Sequence, residues 1–101
     1  MGKKISMGKL EDLTAGKVFE KKIMAKRVAV FNHEGNLYGL ESDCKHMRAS
    51  LATGKIADGV VKCPWHGWRY ELKTGQCINV PGADLKQYDV EVVDGEIFLI
   101  I

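Results

Sequence analysis

The chain lacks any apolar run approaching the roughly 20 residues that span a bilayer, and its first thirty residues lack the apolar stretch of a secretory signal. Both absences point to a cytoplasmic protein with no membrane partner. The Met1-Gly2-Lys3-Lys4-Ile5-Ser6 start fits a short myristoylation pattern, but such loosely specified positions are met by chance. Charge of one sign is not in excess either. Fifteen basic and 13 acidic residues leave a formal charge of +2, and the basic ones are scattered apart from the pairs Lys3-Lys4, Lys21-Lys22 and Lys26-Arg27. This distribution argues against nucleic acid as a partner and suits solvated strand edges and turns.

Long helical periodicity is also missing: no segment sustains an i, i+3, i+4, i+7 apolar pattern over three turns. Apolar and polar positions instead alternate over short stretches punctuated by glycine, the pattern of an all-β chain. In 87–101, Tyr88, Val90 and Val92 share one strand face, Asp94-Gly95 supplies a two-residue turn, and Ile97 opens the return strand. A second hairpin is expected from 27–31 and 37–40, joined by a turn over 32–36 in which Gly35 takes a positive φ and His33 is a solvated turn residue. Strands are also expected near 4–10 and 17–24, with a turn or loose helical turn between them over 11–16. With 101 residues and 46% hydrophobic content, and no repeat or Pro/Ser-rich linker, a single domain is the expected organisation.

The stretch 42–81 differs from the rest, because its Cys, His, Trp, Gly and Pro residues crowd together and leave room only for very short strands. It reads as an inserted subdomain on a base formed by about 1–41 and 82–101. Within it, Cys44-Lys45-His46 and Cys63-Pro64-Trp65-His66 each offer one thiolate and one imidazole from a tight loop. Three cysteines cannot all pair within the chain, and a reducing compartment leaves thiols available for metal. A Cys-x-His or Cys-x-x-His step aims two side chains at one centre, and Pro64 and Gly67 suit a constrained turn that brings backbone close to it. The same four side chains would also serve tetrahedral zinc in an interaction module, although neither loop has the paired-cysteine step of structural zinc sites. Cys77 lies outside both loops and reads as a small hydrophobe on a strand.

The coupled loops, C44-K-H46 and C63-P-W-H66-G67, resemble the Rieske family. The likeness extends to Gly39-Leu40-Glu41-Ser42-Asp43 before the first loop, Leu51 and Gly54 after it, Trp68-Arg69-Tyr70 after the second, and Thr74-Gly75 in the next turn. The resemblance implies a Rieske-like antiparallel β-sandwich or barrel carrying one [2Fe-2S] cluster, with Cys44 and Cys63 on one iron and His46 and His66 on the other. It also places Trp65, Gly67, Trp68, Tyr70 and Pro81 in the cluster environment, Pro81 within the covering segment Val80-Pro81-Gly82-Ala83.

Departures from related patterns narrow the branch. Ala49 and Trp65 stand where respiratory relatives carry a loop disulfide, and Trp68 stands where they carry a serine that donates to a cluster sulfide. One donor fewer moves the expected potential toward the lower end of the family range, about −150 to +300 mV. A tyrosine at the place of Tyr70 donates to a ligand thiolate in those relatives, and Trp68, two residues earlier, would share its strand face.

The implied function is that of a ferredoxin, a one-electron carrier between a reductase and a terminal enzyme such as a Rieske oxygenase. Both would dock near His46 and His66, with Lys45 and Arg48 favouring an acidic partner surface. A chain of this length leaves no room for the mononuclear iron domain of oxygenase large subunits, so no catalysis is expected of it. The small subunit of assimilatory nitrite reductase fits the same resemblance.

Overall fold

The computed structural model describes residues 3–14, 16–23, 25–44, 50–64 and 67–101. Over these the fold is almost entirely antiparallel β. The strands are β1 (Lys4–Lys9), β2 (Val18–Ile23), β3 (Lys26–His33), β4 (Asn36–Glu41), β5 (Lys55–Ala57), β6 (Val60–Lys62), β7 (Arg69–Glu71), β8 (Gln87–Val93) and β9 (Glu96–Ile100), with short 3-10 turns at Leu10–Asp12 and Leu51–Thr53. Among the described residues no helix is long and apolar enough to cross a membrane.

Six strands form one sheet in the order β1-β9-β8-β4-β3-β2, which curls into a nearly closed barrel, while β5-β6-β7 make a separate small sheet. The barrel's free edges meet through Lys21, whose Nζ donates to the Ser6 carbonyl at 3.0 Å. Its two halves join where β4 crosses β8 at Gly39–Tyr88 and Leu40–Gln87. A Cβ on Gly39 would sit 2.5 Å from Leu99 Cδ1 and 2.7 Å from the Tyr88 carbonyl, so only glycine lets the strands approach this closely.

Turn chemistry fixes the registers. Glu34-Gly35, Asp58-Gly59 and Asp94-Gly95 all have positive φ at both residues (54° and 85°, 52° and 74°, 50° and 77°). That is the I′ geometry whose twist matches paired strands. The second hairpin therefore turns on two residues rather than over 32–36, and Asn32 and His33 stay in β3. Asn32 tolerates burial there because its amide nitrogen donates to the Leu13 carbonyl at 2.7 Å and its oxygen accepts from Gly35 N at 3.0 Å.

Strand β3 explains how the two sheets share one molecule. Its residues Val28, Ala29, Val30 and Phe31 are all buried. By the two-residue period of a strand, Val28 and Val30 join Leu13, Tyr88, Ile97 and Leu99 in the barrel core. Ala29 and Phe31 face the other way, into a second core with Leu40, Leu51, Val61, Tyr70, Leu72 and Leu85. Three-residue strands have little stability of their own. The small sheet is held by laying Val61 and Tyr70, both fully buried, on this second core at about 1.5–3 kcal/mol per large apolar side chain.

Candidate metal centre

The first loop springs from the end of β4. Ser42 N donates to the Arg27 carbonyl and Leu51 N to the Ser42 carbonyl, each at 2.8 Å, and Asp43 bridges to Ser50. The Ser42 and Ser50 hydroxyls both donate to Glu20 Oε2 on β2, at 2.5 Å each, so one barrel carboxylate ties together the two ends of the segment that carries Cys44. Ser50 Oγ also accepts from Ala52 N at 3.2 Å and starts the 3-10 turn that follows.

The second loop leaves β6 at Cys63 and enters β7 after Trp68. Cys63 N donates to the Trp68 carbonyl at 2.7 Å and Gly67 N to the Cys63 carbonyl at 3.3 Å, with Gly67 at φ 72°. These two bonds close the loop on itself. The expected ligands His46 and His66, the environment residue Trp65, and Lys45, Arg48 and Ala49 lie outside the described residues.

Cys44 and Cys63, from separate loops, are buried in the same core cluster, and neither forms a disulfide. Tyr70 belongs to that cluster and is fully buried; its hydroxyl lies 3.5 Å from Cys44 Sγ. With Cys44 as a thiolate the hydroxyl is the donor. Strand β7, which follows the second loop, thus presents a proton to the sulfur of the first. Two buried thiols, one already facing a hydroxyl donor, are a donor set that suits a thiolate-ligated metal.

Trp68 is half-buried and packs on this core with Val80 and Ala83, while Pro81 and Gly82 are exposed at the tip of a turn closed by Ala83 N to the Val80 carbonyl at 3.3 Å. Cys77 is buried and forms a β-bridge with Tyr70, its amide donating to Asp84 Oδ1 at 2.9 Å. His33 departs from the expectation of a solvated turn residue: its Nε2 accepts from Gly59 N at 3.0 Å and ties the β3–β4 hairpin to the turn of the small sheet. That link and the Glu20 clamp join residues far apart in the chain, so local pattern carries no signal for either. In the barrel, burial pushes the Tyr88 hydroxyl pKa above its ordinary value, and the Glu41 carboxylate adds to the shift.

The chain belongs to the Rieske [2Fe-2S] domain family, whose model matches residues 3–89. It is similar to the ferredoxin subunit of 3-phenylpropionate/cinnamic acid dioxygenase from Photorhabdus laumondii subsp. laumondii, 34% identical over 76 residues that cover 73% of this chain and 72% of that one. It is also 44% identical over 59 residues to aminopyrrolnitrin oxygenase PrnD from Pseudomonas fluorescens, where the match covers 58% of this chain but spans only 16% of that protein. Among solved structures, it superposes with a TM-score of 0.87 on a chain of the complex of reduced oxygenase and oxidized ferredoxin in carbazole 1,9a-dioxygenase. That chain is 27% identical, and the match covers 96% of this chain and 92% of that one. The cofactor of the family is one [2Fe-2S] cluster.

Proposed function

We propose that Cys44, His46, Cys63 and His66 hold the cluster, and that the chain carries single electrons from a reductase to the terminal oxygenase of a Rieske oxygenase system, with both partners docking near His46 and His66. In this reading 42–81 is the cluster-binding subdomain on a base of 1–41 and 82–101. The observation that carries it is the meeting of Cys44, Cys63 and the Tyr70 hydroxyl in one buried cluster from two separate loops.

When bound, the cluster supplies a one-electron couple whose potential responds to hydrogen bonds at sulfur and to burial. The rest belongs to the chain's own residues. Cys44 and Cys63 sit where water is excluded, and Val80, Ala83 and Trp68 extend that apolar cover. Tyr70 donates its proton toward Cys44 Sγ and favours the state in which that sulfur carries more negative charge. Likeness to a dioxygenase ferredoxin favours an oxygenase as electron acceptor over a nitrite reductase. We place the chain in the cytoplasm, where its three thiols stay reduced.

Metal and sulfide analysis of protein made with ample iron tests the assignment. The expected result is two irons and two acid-labile sulfides per chain. One zinc and no sulfide would instead make the chain a zinc-stabilised module.

A further inference from the structure

The small sheet carries an aligned row of cations. Lys55 pairs with Lys62 across β5 and β6, and Lys62 with Arg69 across β6 and β7. Residues directly opposite in a sheet project to the same face, so the three side chains stand side by side, opposite to the core-facing row of Ile56, Val61 and Tyr70. All three cations are exposed. Among the described residues no carboxylate lies within salt-bridge distance of any of them. Like charges directly opposite destabilise a sheet, and here that penalty falls on strands of three residues each, which have little stability to spare.

The row flanks the second loop. Lys62 immediately precedes Cys63, Arg69 follows Trp68, and Lys55 and Lys62 share a depression with Cys63 and Pro64. The adjoining groove is lined by the same three cations together with Asp58 and Ile78, a large apolar side chain that is 50% exposed and stands beside Arg69 at the end of the row, its amide donating to the Arg69 carbonyl at 2.8 Å. An exposed apolar side chain beside a row of cations is the anatomy of a protein interface, with the charges setting partner choice and encounter rate.

We propose that Lys55, Lys62 and Arg69, with Ile78 beside Arg69 at the end of the row, form the docking face for an acidic surface of the electron-transfer partner. Carboxylates of that partner neutralise the row and an apolar side chain covers Ile78, which brings its redox centre against the Cys63 loop. The inference rests on the reading that this loop holds the cluster.

The test uses holoprotein reduced with dithionite and mixed in a stopped-flow cell with ferricyanide, an anionic electron acceptor, at low and high ionic strength, with and without poly-L-glutamate. Wild type is expected to slow as salt rises and to be inhibited by poly-L-glutamate at low salt. The combined variant Lys55→Gln, Lys62→Gln and Arg69→Gln should react more slowly at low salt, on the order of tenfold, and lose both effects. A control with the same charge change on exposed barrel lysines, Lys3→Gln, Lys9→Gln and Lys17→Gln, should keep them. Equal behaviour of the two triple variants, or a wild type indifferent to salt and polyanion, overturns the docking face. Iron and sulfide are measured on the same samples, and poly-L-glutamate binding is followed by tryptophan fluorescence. A chain without cluster therefore sinks the ligand reading alone, while the docking face is still decided by which variant binds the polyanion.

Discussion

Replacing Tyr70 by phenylalanine removes one hydroxyl and leaves the ring in place. The side chain is fully buried, so the ring stays in the core cluster with Phe31, Leu40 and Leu72, and the change removes the hydroxyl that faces Cys44 Sγ. At 3.5 Å from sulfur this is a long hydrogen bond, and a net contribution of about 0.5–1 kcal/mol is appropriate. The donor stabilises the reduced state more than the oxidised one, because reduction raises the negative charge on sulfur. For one electron a factor of ten corresponds to about 59 mV, so the loss converts to a potential lower by roughly 20–40 mV. Protein-film voltammetry on both forms, at equal iron content, reads the difference directly. If Tyr70 serves only as a core aromatic, the variant loses stability at unchanged potential, and that result would refute the reasoning.

Cys44→Ala or Cys63→Ala should abolish bound iron and sulfide, whereas Cys77→Ala, in the same core but outside both loops, should keep both in full; metal analysis of the three proteins reads the contrast. Glu20→Ala leaves the Ser42 and Ser50 hydroxyls without their shared acceptor and should lower the unfolding free energy by about 1 kcal/mol, a value at the low end because the carboxylate is exposed. Glu20→Gln, which retains an acceptor oxygen, should recover part of that loss in urea titrations. The raised Tyr88 pKa makes the folded state hold its proton longer than the unfolded chain, so this stability is fully present below pH 10 and is lost as pH rises through the folded value. Tyr88→Phe should therefore flatten the fall in urea midpoint on the alkaline side, and an equally steep fall in both proteins would exclude Tyr88 as its source.

The parts of the fold set by local chemistry were legible in the sequence. Asp94-Gly95 between alternating strands reads as a hairpin because few residue pairs accept two positive φ angles. The same chemistry at Glu34-Gly35 was obscured by polar Asn32 and His33, which look like turn residues. They are strand residues because Leu13 and Gly59 supply hydrogen-bond partners from elsewhere in the fold. Cys44 and Cys63 stand out through their spacing to histidine, a one-dimensional property. The Glu20 clamp and the Lys55-Lys62-Arg69 row depend on which strands pair and in what register, which the linear order of residues does not carry. Strand β3 is similar in kind: its apolar run announces burial on both faces but not that the faces belong to two different cores.

The central claim, that Cys44, His46, Cys63 and His66 ligate the cluster, is tested most directly by electron–nuclear double resonance on dithionite-reduced protein labelled with 15N-histidine. The account predicts nitrogen couplings from two imidazoles on the reduced cluster, one of them lost in His46→Cys and the other in His66→Cys. A fully loaded cluster with no histidine nitrogen coupling would contradict it.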